Sequence, residues 1–282
     1  MFVVLNTVSP EKNHLKRIKQ IRNLKNSPVH TYKTSNGLPF YILDVMKDKH
    51  GINWPLTAKK CGKYASRIIA PRSLSLPDNS GLKRFIPATM NSVLIFNTAL
   101  KVISESNLSA DKICITVTDR NAVVPSRICE LLPFASEIRI ITSHPENYVS
   151  AVTDAYTDYG ASLVIRSKYE PAGLPEIIIC CDGAVMSSMN EAALFTFKRN
   201  FGGKIRFCAS GVELSEYHES ILPSDIENVD FVGALTELCG NREYRLSPFS
   251  EIEINCVKCE NPCAKKCLEC YVCNQTVIIH KT

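Results

Sequence analysis

Two groups of residues in this 282-residue chain have the types and spacing to do chemistry. The first is CVKCENPCAKKCLECYVC at residues 256–273, with six cysteines in eighteen residues. Thiolate is a soft ligand that selects zinc or iron–sulfur clusters. Cys256-x2-Cys259 and Cys270-x2-Cys273 form two knuckle-like pairs ten residues apart, and four thiolates close a tetrahedral, structural kind of zinc site. INCVKC and CYVCNQTVII set β-rich sequence beside each pair, as a zinc-ribbon-like module would. Cys263 and Cys267 are then spare or compete for the metal. A second grouping, Cys263-x3-Cys267-x2-Cys270-x2-Cys273, has cluster-like spacing, so an iron–sulfur cluster stays open beside zinc and beside no metal at all.

The second group is dispersed. Short apolar, β-rich runs at 112–118, 137–143, 161–167, 175–183 and 204–210 alternate with helical stretches at 123–134, 146–159 and about 188–200. Such alternation predicts right-handed βαβ crossovers and a parallel sheet covered on both faces. Ligands of open α/β sheets bind at the carboxyl ends of the strands, near the reversal of strand order. That rule selects Thr118, Asp119, Arg120 and Asn121, then Ser143 and His144, then Arg166, then Cys181, Asp182 and Gly183, and lastly Ser210 and Gly211. Asp119, His144 and Asp182 are the acid–base candidates, with Cys181 beside Asp182 as a candidate nucleophile. Thr118, Arg120, Asn121, Ser143, Gly183, Ser210 and Gly211 are the candidates for holding a cofactor.

The element order of residues 107–240 resembles the Rossmann-like class, and the resemblance covers about half the chain. A helix at about 90–106 leading into the first core strand is similar to dehydrogenases whose nucleotide domain comes second. The resemblance implies NAD(P) or another nucleotide at the carboxyl edge. The residues depart from it in two places. The turn after the first strand reads TDRNAVVP, without the glycines that let a backbone approach a pyrophosphate. Ser143 and His144 stand where an acidic residue would bind ribose hydroxyls, and they suit a phosphate better than a diol. A phosphorylated metabolite held by Arg120 and a helix N-terminus is therefore an equal expectation. No nucleophile elbow or P-loop is present. The x3-x2 cysteine spacing also resembles the triad of radical S-adenosylmethionine enzymes, but with nine residues left behind it there is no barrel to follow.

Other elements must position these residues. The expected organisation is a basic α/β unit at 1–88, a doubly wound, mostly parallel Rossmann-like α/β domain at 89–250, and a cysteine-rich tail at 251–282. The front unit reads as a strand at 2–6, a basic helix at 11–25, a hairpin around Asn36-Gly37 and a helix at 57–69 capped by Asn53 or Thr57. A short helix is expected within 213–222 and a last strand at 230–235.

Net charge is +5 and unevenly spread: residues 1–88 hold 16 Lys and Arg against 4 Asp and Glu. This points either to an acidic partner, nucleic acid included, or to a basic front docking on an acidic body. No eighteen-residue apolar run is present, so no membrane span is expected. The scattered cysteines do not form a secreted disulfide framework, and the expected compartment is the reducing cytoplasm. Two functions follow. One is an enzyme that binds a nucleotide or phosphorylated metabolite between the basic front and the sheet edge. The other is a non-catalytic regulatory or interaction protein whose tail binds metal or senses redox state.

Overall fold

The computed structural model describes the chain except residues 13, 14, 17, 21–28, 35, 36, 48–50, 183–188, 190, 198–203, 211, 213, 241–250, 255, 256, 260 and 280–282. The chain divides into two compact units. One joins Met1–Met90 with Leu214–Tyr244, and the other joins Asn91–Glu213 with Arg245–Thr282.

The first unit holds a four-stranded sheet of order β2-β3-β1-β4, from β1 (Val3–Val8), β2 (His30–Lys33), β3 (Pro39–Met46) and β4 (Ile68–Ile69). β1 pairs in parallel with β3 and β4, while β2 and β3 form the expected hairpin, turning at Gly37 with φ 79°. The expected helix at 57–69 is shorter: α1 (Trp54–Cys61) starts at Asn53, whose Oδ1 accepts the Leu56 N–H at 3.1 Å. Ile68 and Ile69 are β4 instead, because both are fully buried and pair with Val3 and Val4. On the basic 11–25 stretch, Leu15 and Ile18 are exposed, whereas Ile21 and Leu24 lie outside the described residues.

Residues 214–244 return to this unit with one Lys or Arg against seven Asp and Glu. Arg72 pairs with Asp230 at 3.2 Å, and Thr7 donates to Asp225 at 2.9 Å. Part of the basic excess of the front is thus met by an acidic segment of the same chain. The return segment carries α4 (Glu216–Ile221) and α5 (Asn228–Cys239). The expected strand at 230–235 is a correction, since it lies inside α5. Val229, Phe231, Val232, Ala234 and Leu235 are all buried, so the helix is apolar on most sides and shows no amphipathic period. Phe231 packs edge-on against Phe2 and Phe40, with ring centroids 5.8 and 5.3 Å apart.

The second unit opens with α2 (Met90–Glu105) and builds an eight-stranded sheet. Its strands are β5 (Cys114–Thr118), β6 (Glu137–Ile141), β7 (Leu163–Arg166), β8 (Glu176–Cys180), β9 (Ala193–Thr196), β10 (Ile205–Ser210), β11 (Glu251–Ile254) and β12 (Val257–Cys259). The order β7-β6-β5-β8-β9-β10 is parallel throughout, and β11 and β12 add an antiparallel edge. This is the doubly wound, Rossmann-like order 3-2-1-4-5-6. Between β5 and β6 the chain forms a 3-10 helix at Pro125–Phe134, with Pro133 inside it. α3 (Val149–Tyr159) follows β6 and ends at Gly160 with φ 62°.

Two helix and strand readings are corrected here. The helix expected at 188–200 contains β9, whose four residues are all buried between β8 and β10. The β-rich reading of CYVCNQTVII fails because residues Asn261–Ile279 form one helix, α6.

A Cβ built on Gly233 would stand 2.5 Å from Pro87 Cβ. Gly233→Ala should therefore destabilise the protein by about 1–3 kcal/mol, the usual range for overpacking, read as a lowered denaturant midpoint at unchanged m.

Candidate active site at the strand-order reversal

The reversal of strand order falls between β5 and β8, which pair in register from Cys114↔Glu176 to Thr118↔Cys180. Pairing continues one residue further, where the Cys181 N–H donates to the Thr118 carbonyl at 3.0 Å. The chain ends leaving these two strands therefore start side by side. Thr118 Oγ1 donates to Asp182 Oδ1 at 2.8 Å, linking the two ends through side chains. Asp182 is nearly buried, with 6% of its side chain exposed, and its Oδ2 faces the Arg120 guanidinium at 3.5 Å. Arg120 itself is 54% exposed, and Asn121 beside it is exposed.

Asp119 is buried and shapes the turn that follows β5. Its Oδ2 accepts the Val124 N–H at 2.9 Å and the Tyr148 hydroxyl at 2.6 Å. Its carbonyl accepts the Ala122 N–H, and Ala122 adopts φ 51°, which among the described residues is unique for a non-glycine. A side chain in that left-handed region carries a strain that glycine would avoid. Burial, and then the Asp119 hydrogen bond, push the Tyr148 phenol far above its usual range, so it stays a proton donor to Asp119. Asp119 Oδ1 is buried with no hydrogen-bond partner.

This turn corrects the expected anion site. A helix N-terminus attracts anions because its first N–H groups lack partners. Here Val124 N–H is already taken by the Asp119 carboxylate, and Pro125 brings no N–H. The chain's own carboxylate occupies the place a pyrophosphate would take.

Cys181 is not built as a nucleophile. It is fully buried, and desolvation, followed by the nearby Asp119 charge, pushes its thiol well above the normal range. A thiol kept protonated and buried is inert. Its carbonyl accepts Ser92 Oγ at 2.6 Å, which ties α2 to the end of β8.

His144 follows β6 and is half exposed, with Nδ1 3.1 Å from Glu146. That pairing with a residue two positions on marks a surface turn, and no described contact joins it to Asp119 or Asp182. Ser143 is exposed and lines a groove of about 350 Å³ with Thr142, Pro145, Ile165, Arg166 and Ser167, across the ends of β6 and β7. Arg166 contacts Glu170 through Nη1, while its Nε is buried without a hydrogen-bond partner. Ser210 ends β10, and Gly183 and Gly211 lie outside the described residues.

Sequence reasoning did not single out Tyr148. The apolar and charged residues around it gave no signal, because its role depends on the fold bringing it under the β5 turn. Glu176 is a further buried acid, but it sits at the amino end of β8. There it accepts the Thr116 and Tyr169 hydroxyls beside a cavity of about 270 Å³.

The tail cysteines are placed differently from either expected grouping. Cys263, Cys267, Cys270 and Cys273 all ride on α6, Cys259 ends β12, and Cys256 lies outside the described residues. Among the described residues no three His, Cys, Asp or Glu side chains gather closely enough to hold a metal ion. Nor is any helix among them long and apolar enough to cross a membrane.

No family model matches the chain. No curated protein matches it either. Among solved structures, L-tryptophan dehydrogenase from Nostoc punctiforme is similar at 12% identity and a TM-score of 0.34, over 98% of this chain and 88% of that one. At that score no residue of one can be matched to a residue of the other.

Two outcomes test the site's architecture. Asp119→Ala strands two buried donors, each costing about 1–3 kcal/mol, and should destabilise by about 2–5 kcal/mol in denaturant unfolding. Tyr148→Phe should cost less. Under native conditions, iodoacetamide followed by mass spectrometry should label Cys263, Cys270 and Cys273 while leaving Cys181 unmodified.

Proposed function

We propose that the crevice at the β5–β8 reversal binds a phosphorylated small molecule that also carries hydroxyl or amino donors, that is, a nucleotide or a sugar phosphate. The observation that carries this reading is the convergence of Asp119, Asp182 and Arg120 on adjacent strand ends at the point where doubly wound sheets hold ligands. The groups divide by chemistry. Asp182 and the unpartnered Asp119 Oδ1 accept from hydroxyl or amino groups. The exposed Arg120 supplies donors for a phosphate, which a guanidinium can grip through two parallel bonds. Ser143 and Arg166, in the groove one strand further along, extend the polar lining.

The closed turn favours a monophosphate over a dinucleotide. With Val124 N–H occupied and a Cβ on Ala122, little backbone is left to cradle a pyrophosphate. Asp182, rather than His144 or Cys181, is the group best placed to exchange a proton with a bound ligand.

Calorimetric titration with a nucleoside monophosphate, a pentose phosphate, NAD, NADP and S-adenosylmethionine tests the reading. A monophosphate should bind more tightly than NAD. Arg120→Ala and Asp182→Asn should each weaken it by about 10- to 100-fold, the loss of one charge-assisted contact of about 1.5–3 kcal/mol. No binding by any member of the panel, or binding indifferent to both substitutions, would exclude the proposal.

A further inference from the structure

The thiols of α6 remain unassigned by the crevice. α6 packs on the sheet through Ala264, Leu268, Tyr271 and Val272, all buried. The Tyr271 hydroxyl lies 3.1 Å from the Glu176 carbonyl and 2.9 Å from that of Glu191, which fixes the rotation of the helix about its axis. At about 100° per residue, Cys263, Cys267, Cys270 and Cys273 share one stripe roughly opposite that buried face. Cys263, Cys270 and Cys273 are exposed, and Cys267 is half-buried. These thiols do not serve the core.

The same geometry limits what they can hold. Four thiolates around zinc lie at about 2.3 Å from the ion, so all four sulfurs must gather within about 4 Å of one another. At a rise of about 1.5 Å per residue, Cys263 and Cys273 stand about 15 Å apart along the helix. One helix therefore offers neighbouring pairs of sulfurs and never four around one point. Within the stripe, the Cys263 and Cys267 thiols share a hydrogen bond, so these two sulfurs already touch. An intrahelical disulfide does not follow from that contact. Residues four apart hold their Cβ atoms about 5–6 Å apart, beyond the roughly 3.5–4.5 Å a disulfide spans.

We propose that Cys263 and Cys267 form a two-coordinate site for a soft, monovalent d10 metal ion of the cuprous type. Such an ion prefers thiolate and is satisfied by two of them, whereas zinc is not. Binding replaces two S–H bonds with two metal–sulfur bonds, and both protons pass to solvent. No electron is transferred. The product carries one negative charge, and Lys266, exposed on the same side of the helix, places a cation beside it. Because two protons leave, affinity should rise by up to about 100-fold per pH unit below the thiol pKa values.

The test is an anaerobic titration of the full-length, reduced protein with cuprous ion against a chromophoric cuprous chelator, run in parallel with cobaltous ion. One cuprous equivalent should bind in the wild type and in Cys270→Ser/Cys273→Ser. It should be lost in Cys263→Ser/Cys267→Ser, with circular dichroism confirming that this variant is folded. Retention of the equivalent in Cys263→Ser/Cys267→Ser, or its loss in Cys270→Ser/Cys273→Ser, would overturn the assignment. So would the intense visible bands of tetrahedral cobalt thiolate in the wild type, since they require four sulfurs around one ion.

Discussion

The pairing of β5 with β8 is the constraint on which the second unit depends. Because these two strands lie side by side, the chain must wind outward from them in both directions, to β6 and β7 on one side and to β9 and β10 on the other. The same pairing sets Thr118 beside Cys180 and lets its hydroxyl reach Asp182. Everything offered to a ligand at this edge follows from that adjacency. The carboxylates come from consecutive turns, 63 positions apart in sequence, and only the parallel register brings them together.

The turn after β5 shows how one residue can decide the chemistry of such an edge. A glycine-rich turn leaves helix N–H groups free for phosphate. Here Asp119 folds back on Val124 N–H, is buttressed by the buried Tyr148 hydroxyl, and holds Ala122 in a left-handed conformation. The carboxylate stabilises the turn and fills the anion position together. The edge is consequently acidic at its floor, and its phosphate-binding capacity lies with arginines at the rim.

Much of this was legible in the sequence, and the limits have physical causes. The parallel strands at 112–118, 137–143, 161–167, 175–183 and 204–210 stand out because strands buried on both faces read as unbroken apolar runs. Their carboxyl ends named Asp119, Arg120 and Asp182 without any relative to compare. β9 was hidden because ALFT follows Glu-Ala in a stretch without Gly, Pro or alternation, and its strand state comes from burial between two neighbours. α5 was hidden for the complementary reason: a helix buried on most sides loses its period. The closure of the Val124 site was also beyond the sequence, since nothing in TDRNAVVP says that an aspartate will cap its own turn. For the cysteines, spacing suggested metal coordination, but a continuous helix through Cys263 to Cys273 changes which sulfurs can meet.

The central claim is that the β5–β8 reversal is where this protein holds its ligand. Chemical-shift mapping on the isotopically labelled full chain, with a nucleoside monophosphate added, tests it most directly. The account predicts that the largest amide perturbations fall on Thr118–Val124 and Cys181–Asp182, fading along β6 and β7. Perturbations confined to other surfaces, with those two segments unmoved, would contradict it.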